Sequence, residues 1–260
     1  MNSHVAQNTL KALINTRVVV VAPQGFVGSI ICELLIEADI DFVEISNFRD
    51  ASSAEISRLA PSGSIWLINC AGTTDTNEIP SSFAFQRDNV KSLEKLLLAF
   101  ENRLTRVFHF SSWLVETSDI NNPYIESKRD AEVLIENNQK TFNFDTKIIR
   151  LPTIWSLKKL KKGSLLEDLV YASKIKQTLH LNNPAALCRI VSEESFKRFF
   201  LNLLVAETKS RILHVEESWH GEVSEISNLL QTSVPKEILL GNSELEALSE
   251  IFNYWLSVPH

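Results

Sequence analysis

The stretch from Arg17 to Leu35, "RVVVVAPQGFVGSIICELL", constrains the fold more strongly than any other part of the chain. Its four consecutive valines favour a buried strand, and the apolar residues after the turn repeat with a helical period. A strand that runs through a glycine turn into a helix points main-chain N–H groups and the helix N-terminus at one place, where an anion can bind. Gly25 and Gly28 lie in this turn, but Ala22 stands where a third glycine is expected. The stretch alone therefore allows both a dinucleotide-binding turn and a purely structural one.

Strand-like and helix-like segments alternate through the first 150 residues. This alternation predicts βαβ units and a parallel sheet. After Leu151 the alternation loosens. We therefore predict an α/β fold: a Rossmann-like doubly wound parallel sheet over residues 17–155, a lead-in over 1–16, and a small mixed C-terminal substrate lobe over 156–260, partly interleaved with the sheet. The predicted strands are 18–22, 41–46, 64–72, 106–112, 144–152 and 211–216, and the predicted helices are 28–37, 53–60, 89–103, 123–139, 165–175, 192–206 and 243–256.

Composition excludes several classes of protein. The chain has 260 residues, of which 44% are hydrophobic and 22% charged, as in globular domains with a real core. The net charge of −6 disfavours non-specific electrostatic binding to the phosphates of nucleic acid. No apolar run is long enough for a membrane span, and the N-terminus lacks the apolar core of a secretion signal. The three cysteines are widely spaced and form no metal or redox motif. We therefore predict that these cysteines are buried free thiols and that the protein resides in the cytoplasm, a reducing compartment. The histidines lack the spacing of metal ligands, so no metal site is expected.

Tyr124 and Lys128 lie one helical turn apart at the start of a predicted helix. Asn122 suits the N-cap and Pro123 the first helical position. A cationic amine beside a phenol lowers the pKa of the phenol, which makes tyrosine usable as a general acid or base. Ser112 ends the preceding strand, where active-site groups of open α/β sheets collect, and its hydroxyl could hydrogen-bond a substrate carbonyl or alcohol. A chance Tyr-x-x-x-Lys on a structural helix is the alternative.

An ordered series of motifs between Arg17 and Val215 is more specific than any one of them: "VAPQGFVG", "INCAGTTD", "DNVKSLEKLLLAF", "VFHFSSWLV", "PYIESKRDAE", "IIRLPTIW" and "RIVSEESFKRFFLNLL". In order and spacing this series resembles the extended short-chain dehydrogenase/reductase superfamily, which includes nucleotide-sugar epimerases, dehydratases and reductases. The resemblance implies an NAD(P)-dependent enzyme that acts on a carbonyl or alcohol of a nucleotide-linked sugar and exchanges a hydride with the nicotinamide. A non-catalytic, cofactor-binding regulatory or scaffold relative is the alternative, which Ala22 keeps open.

The resemblance also implies roles for individual residues. Tyr124 would be the catalytic acid/base, Lys128 would tune it and bind the nicotinamide ribose, Ser112 would orient the reacting oxygen, and Asn89 would support the lysine. The implied cofactor-binding residues are Ala22, Gly25, Phe26 and Val27 at the pyrophosphate, Cys70, Ala71 and Gly72 on the adenosine side, and Leu151 and Pro152 beside the nicotinamide. The implied substrate-binding residues are Thr73, Ser111, Ser112, Trp113 and Tyr124.

Two departures from the family pattern affect the substrate wall. Glu116 stands where tyrosine is usual, and "IWS" over 154–156 replaces "VYG". The sugar specificity therefore cannot be copied from a family member, and reduction, epimerisation and dehydration all stay open. Glu116 is a candidate for the extra acid/base carboxylate that a dehydratase needs.

The end of the second strand bears on the choice of cofactor. An NAD-preferring site usually places a carboxylate there to bind the ribose hydroxyls. Ser46 and Asn47 are neutral and Arg49 follows, a set that would accept the 2′-phosphate of NADP. We therefore predict that NADP(H) is favoured over NAD(H). The alternative is that Arg49 is a solvated loop arginine.

The resemblance also implies a homodimer in which the helices at 89–102 and 123–138 pair with their copies. Leu96 and Val133 are expected to provide surplus apolar surface there, because residues Val90, Leu93, Leu97 and Phe100 would already cover the sheet. The expected partners are thus a small-molecule substrate and a second copy of the chain, with neither nucleic acid nor membrane.

Overall fold

The structure is a computed structural model that describes residues 16–60, 62–74, 82–117, 122–156, 158, 160–161, 164–175, 185–206, 208–217 and 219–226. The predicted lead-in and the predicted helix at 243–256 lie outside the described residues. The strands are β1 Thr16–Val21, β2 Phe42–Ile45, β3 Ser64–Asn69, β4 Leu104–Ser112, β5 Asp145–Leu151, β6 Thr153–Trp155, β7 Leu187–Ser192, β8 Ile212–His214 and β9 Trp219–Glu222. The helices are α1 Phe26–Glu37, α2 Ser53–Leu59, α3 Ser82–Phe85, α4 Ser92–Phe100, α5 Pro123–Phe142, α6 Leu165–Lys174 and α7 Glu193–Val205. A π-helical segment, Gln86–Lys91, joins α3 to α4, and a 3₁₀ turn, Trp113–Glu116, follows β4.

Six strands form one sheet in the order β2-β1-β3-β4-β5-β8, and every neighbouring pair is parallel. The chain leaves β1 for β2 on one side and then returns to β3 on the other side of β1. Open parallel sheets bind ligands at the carboxyl ends of their strands, at such a reversal of strand order. The turn after β1 and the loop after β3 lie at this place.

Helices pack on both faces of the sheet, which makes it doubly wound. On one face, side chains of β1, β3, β4 and β5 form a single apolar core with α2, α4 and α5. On the other face, Phe108 and Phe110 of β4 pack on Phe200 of α7, with ring centroids 5.4 and 5.5 Å apart. The predicted α/β, Rossmann-like sheet is therefore confirmed.

By its contacts the chain divides into two units, of which the first is Met1–Leu151 with Lys197–Val215 and the second is Pro152–Phe196 with Glu216–His260. In the second unit β6 pairs parallel with β7, and β7 pairs antiparallel with β9. Leu166, Leu169, Ile190 and Trp219 are buried in the core of this unit. The sequence predicted helix α6 of this unit but not these three strands. The predicted boundary after residue 155 stays a prediction, since the division by contacts falls after Leu151.

One expectation about the helix surfaces is wrong. Leu96 is fully buried in the core between sheet and helices, so it provides no surplus apolar surface. Leu98 of the same helix is 45% exposed instead, and Val133 of α5 is 55% exposed as expected. Within the described residues, no helix has the length and apolar content that crossing a membrane requires.

Candidate active site

The turn after β1 keeps a glycine-like conformation although it holds alanine. Ala22 has φ 57°, in the left-handed region. Its N–H donates to the Ile45 carbonyl at 3.0 Å, and its carbonyl accepts from the Gly25 N–H at 3.1 Å. A side chain in this region costs roughly 1–2 kcal/mol, which glycine avoids. The departure from the glycine pattern therefore adds strain but leaves the turn in place.

Helix α1 begins at this turn with an open N-terminus. Gly25 is its N-cap, in an extended conformation, and Phe26 and Val27 are its first residues. Among the described residues no side chain caps this end, and no acidic side chain lies in the first turn. The first N–H groups of a helix carry a partial positive charge, so this end suits an anion such as a pyrophosphate.

Gly28 is required by the close approach of the helix to the turn. A Cβ added at this position would lie 2.1 Å from the Ala22 carbonyl oxygen and 2.9 Å from the carbonyl carbon. Both are main-chain atoms, so they cannot move aside without displacing the turn. At Gly25 an added Cβ would meet the same oxygen at 3.4 Å, an ordinary contact. Of these two glycines, Gly28 is the one that the packing demands.

The predicted adenosine corner follows β2. Ser46, Asn47 and Arg49 are exposed there. The Arg49 guanidinium lies 5.6 Å from the centre of the Phe48 ring, and its Nε lies 3.7 Å from the Asp88 carboxylate. Arg49 is therefore anchored by a buried acid rather than fully solvated.

Asp88, which was not among the predicted site residues, anchors this corner. Arg87 Nε donates to Asp88 Oδ1 at 2.8 Å, and Thr73 Oγ1 donates to Oδ2 at 2.6 Å. Burial alone would raise the pKa of Asp88, but the hydrogen bonds from Arg87 and Thr73 and the nearby guanidinium charges lower it overall. The hydroxyl of Thr73, predicted to bind substrate, makes this internal contact.

The loop after β3 runs beside the turn after β1. The Cys70 N–H donates to the Val21 carbonyl at 3.2 Å, and the Ala71 N–H to Asn69 Oδ1 at 3.2 Å. A Cβ added at Gly72 would lie 3.1 Å from Lys128 Nζ and 3.2 Å from Asn89 Oδ1. The loop predicted to line the adenosine side thus also reaches the predicted lysine and asparagine.

Asn89 ties this loop to the helix of Tyr124 and Lys128. Its Oδ1 accepts from the Thr73 N–H at 2.7 Å, and its Nδ2 donates to the Thr73 carbonyl at 3.2 Å and to Ser127 Oγ at 2.8 Å. Ser127 Oγ in turn donates to the Tyr124 carbonyl at 2.8 Å. Asn89 lies in the π-helical segment, an irregularity that is frequent at functional sites.

Ser112, Tyr124 and Lys128 lie at the carboxyl end of β4. Asn122 caps α5 by accepting from the N–H groups of Tyr124 at 3.0 Å and Ile125 at 3.3 Å, as predicted. The buried Lys128 donates from Nζ to the Phe110 carbonyl at 3.0 Å. Ser112 Oγ accepts from the Leu114 N–H at 3.3 Å.

The Tyr124 phenol stays protonated near neutral pH. Burial raises its pKa, while hydrogen bonding with Ser112 lowers it, and the net direction is upward. The predicted lowering of this pKa by Lys128 is therefore wrong for this structure, because the Lys128 amine is directed at the Phe110 carbonyl. The ring of Tyr124 packs against Phe85 with centroids 5.8 Å apart. A protonated phenol is suited to act as a general acid.

The remaining predicted site residues lie in varied surroundings. Ser111 is buried, and its hydroxyl donates to Glu132 Oε1 at 2.5 Å. The O–H of this predicted substrate-binding residue is therefore used in a hydrogen bond within the protein. Trp113 is half-buried at the start of the 3₁₀ turn. Leu151 is buried and pairs in register with Ser112, at the end of β5. Pro152 is buried and belongs to the second unit.

His109 is a core histidine, in agreement with its position inside a predicted strand. Its Nδ1 lies 3.1 Å from Asn69 Nδ2, and burial lowers its pKa well below the usual value, so the ring is neutral. Across the part of the chain that the structure describes, no group of three or more His, Cys, Asp and Glu side chains is arranged to hold a metal ion.

The chain is similar in structure to several solved nucleotide-sugar enzymes, although no protein-family profile and no curated sequence matches it significantly. With WbmF from Bordetella bronchiseptica, solved with NAD⁺, the TM-score is 0.73 at 15% identity, over 94% of this chain and 93% of that one. With UDP-glucuronic acid 4-epimerase from Bacillus cereus, solved with UDP-glucuronic acid and NAD, it is 0.72 at 14% identity, over 92% and 98%. The chain therefore has the same α/β fold, with a Rossmann-like parallel sheet, as these enzymes.

A third structure with this fold is the double mutant of DesIV, a dTDP-glucose 4,6-dehydratase from Streptomyces venezuelae, with a TM-score of 0.70 at 18% identity over 82% of this chain and 80% of that one. In the present chain, one edge of the sheet brings together Ser112, Tyr124, Lys128, Asn89 and Gly72. Identities this low establish the fold. The roles of the individual residues stay predictions.

Proposed function

We propose that this protein is an NAD(P)-dependent enzyme that acts on a carbonyl or alcohol carbon of a nucleotide-linked sugar. The observation that carries the proposal is the grouping of Ser112, Tyr124 and Lys128 at the carboxyl end of β4, tied through Asn89 to the loop after β3. This edge also holds the open N-terminus of α1. The structural neighbours solved with NAD and UDP-glucuronic acid support this class of cofactor and substrate.

The residues present suit a dinucleotide. The N–H groups of Phe26 and Val27 would hold the pyrophosphate, and Gly25 would let the main chain approach it. Cys70, Ala71 and Gly72 would line the adenosine side, and Leu151 would flank the nicotinamide. When bound, the nicotinamide supplies or accepts the hydride, but it carries no proton for the substrate oxygen. A proton partner must therefore come from the protein.

Tyr124 is the proton partner in this proposal. Its protonated phenol would give a proton to the substrate oxygen during reduction and take one back during oxidation. The Leu114 N–H binds one lone pair of the Ser112 oxygen. The Ser112 O–H, which pairs with the Tyr124 phenol in the free protein, would donate to the substrate oxygen when substrate binds. The buried Lys128, whose amine donates to the Phe110 carbonyl, would bind the nicotinamide ribose.

The test of this function begins with cofactor binding. The five tryptophans allow NADH and NADPH to be titrated by fluorescence quenching, and a panel of UDP- and dTDP-sugars then reports turnover at 340 nm or by product analysis. Saturable cofactor binding together with turnover of a nucleotide sugar is expected. Saturable binding without turnover of any panel member would favour the non-catalytic relative. Absence of cofactor binding would contradict both.

The reaction type is the finer part of the proposal. We propose reduction or epimerisation, because these need only hydride transfer and a proton partner such as Tyr124. Dehydration needs a further acid/base carboxylate, and the candidate Glu116 is paired with Arg150 Nη1 at 3.1 Å and lies 3.4 Å from His214 Nε2. These two contacts engage the Glu116 carboxylate within the protein, so it is not directed at a substrate.

We propose further that NADP(H) is favoured over NAD(H), on the ground of the neutral Ser46 and Asn47 and the cationic Arg49. The neighbours were solved with NAD, so this preference rests on these residues of the chain. Arg49→Ala is expected to weaken NADPH binding roughly tenfold and to leave NADH binding unchanged. Both dissociation constants are measured at one salt concentration. Arg17→Ala, at the amino end of β1, is the control. NADH binding as tight as NADPH binding in the wild type would contradict the preference.

We also propose that the protein forms a homodimer through α4 and α5 and resides in the cytoplasm. Exposed Val133 and Leu98 support the interface, since surplus apolar surface often marks one. Light scattering at micromolar concentration is expected to give the dimer mass, and Val133→Glu the monomer mass. A monomer mass for the wild type would refute the dimer.

A further inference from the structure

The 3₁₀ turn Trp113–Glu116 begins at Ser112 and is closed by its own hydrogen bonds. Ser112 Oγ accepts from the Leu114 N–H at 3.3 Å. The Leu114 carbonyl accepts from the Thr117 N–H at 2.9 Å and from Thr117 Oγ1 at 2.7 Å. The Ser112 hydroxyl is therefore hydrogen-bonded to the turn, and contacts that hold the turn also hold this hydroxyl.

Arg150 of β5 links the end of this turn to the helix of Tyr124. Its Nη1 donates to Glu116 Oε1 at 3.1 Å. Its Nε and Nη2 donate to the two carboxylate oxygens of Glu132, on α5, at 3.1 and 2.7 Å. His214 Nε2 lies 3.4 Å from Glu116 Oε1 on the neighbouring strand β8. The bidentate pair is largely buried, where such hydrogen bonds are strongest and most specific in direction.

Arg129 of α5 makes a second connection to the same turn. Its Nε donates to the Val115 carbonyl at 3.1 Å, and its Nη2 donates to the Thr117 carbonyl. Arg129 directly follows Lys128 in the chain. Two connections thus join α5, the helix of Tyr124 and Lys128, to the turn that starts at Ser112. One is made directly by Arg129, and the other runs from Glu132 of α5 through Arg150 to Glu116.

We propose that Glu116, Arg129 and Arg150 are positioning residues, which hold the Ser112 hydroxyl at the Tyr124 phenol. The significance of this for catalysis rests on the proposed function, but the alignment of the two hydroxyls is a property of the protein itself. Glu116, which the sequence suggested as a catalytic carboxylate, thereby acts as an anchor for the turn. If the serine hydroxyl is already held in place before substrate binds, no conformational entropy is lost in ordering it during the reaction.

The ionisation of Tyr124 measures this alignment without cofactor or substrate. The chain has three tyrosines, so in protein labelled with a fluorinated tyrosine that ionises nearer neutrality, the ¹⁹F resonance of Tyr124 is the one lost in Tyr124→Phe. Ser112→Ala is expected to raise the pKa of this phenol, because the hydrogen bond with Ser112 favours the phenolate. This shift sets the scale for the other variants.

Glu116→Ala is expected to shift the titration in the same direction as Ser112→Ala but by less, since Arg129 still holds the turn. Adding Arg129→Met should bring the shift close to that of Ser112→Ala. Glu116→Gln is the matched control, because its amide oxygen can still accept from Arg150, and it should titrate as the wild type does. Glu116 is exposed, so its single substitutions are expected to keep the wild-type unfolding midpoint.

The Ser112→Ala background separates positioning from a general loosening of the fold. If Glu116 and Arg129 act through Ser112, their substitution should have no further effect on Tyr124 in that background. An unchanged titration in Glu116→Ala/Arg129→Met, or an equal shift with and without Ser112, would overturn the proposal. If the proposed function is wrong, the wild type will fail to bind cofactor or to turn over a nucleotide sugar. The Tyr124 titrations of the variants would be the same in either case.

Discussion

Gly28→Ala is expected to destabilise the protein by about 3 kcal/mol and to abolish cofactor binding. The added Cβ would lie 2.1 Å from the Ala22 carbonyl oxygen, so either α1 or the turn after β1 must shift. That turn is hydrogen-bonded to β2 through the Ala22 N–H, so its displacement also disturbs the adjacent strand end. The change in unfolding free energy is measured by urea denaturation, and binding by NADPH titration.

Two substitutions in the same turn serve as controls. Gly25→Ala places a Cβ 3.4 Å from the same oxygen on a residue with φ −68°, so its unfolding midpoint should stay near that of the wild type. Ala22→Gly should stabilise by up to about 1 kcal/mol, because relief of the left-handed strain exceeds the added entropy of the unfolded chain. If Gly28→Ala and Gly25→Ala unfold alike, the close approach of helix to turn is not what demands glycine.

Much of the sheet could be predicted because hydrophobic periodicity records burial directly. The valines of β1 are at most 2% exposed, as a run of β-branched residues predicts. Strands β6, β7 and β9 escaped prediction because their pairing depends on segments distant in the chain, such as Cys188 opposite Gly221. Strand β6 follows β5 with one residue between them, so it is hidden within a longer apolar run.

The misplacement of Leu96 has a simple geometric reason. Leu93, Leu96, Leu97 and Phe100 follow the i, i+3, i+4, i+7 spacing, which places all four on one apolar stripe of the helix. The residue left outside this stripe is Leu98, which is exposed. Strict helical spacing therefore identifies the buried face correctly, and the exposed apolar residue has to be sought on the other side.

Some residues of the candidate site could be predicted from spacing along the chain, and others depend on contacts that only the fold creates. Ser112, Tyr124, Lys128 and Asn89 could be predicted because their spacing along the chain follows a known family pattern. Sequence could not predict the roles of Asp88, Arg129 and Glu132, because each depends on a contact with another element. Asp88, for example, is paired with Arg49, and Glu132 accepts a hydrogen bond from Ser111. A charged residue on a helix is solvated by default, and only the fold shows which ones are buried and paired.

Tyr124→Phe is expected to lower turnover by roughly 10²- to 10⁴-fold, the range that general acid–base catalysis contributes. The substitution removes the proton that reduction of a carbonyl requires, and neither Ser112, whose own hydroxyl is not appreciably acidic, nor the cofactor replaces it. The phenyl ring can still pack against Phe85, so the unfolding midpoint and NADPH binding should stay near wild type. Turnover is measured with the sugar nucleotide that the panel identifies.

Tyr171→Phe is the matched control, because Tyr171 is exposed on α6 and should tolerate the loss of its hydroxyl. The wild-type pH profile gives a second check. Since burial raises the pKa of Tyr124, the phenol is fully protonated below that pKa, and the reductive rate should fall only as the pH rises through it in the alkaline range. Tyr124→Phe should lose this alkaline decline together with its rate. A variant that reduces the sugar at the wild-type rate, or that keeps the same alkaline decline, would remove Tyr124 from the mechanism and leave the proton source to another group.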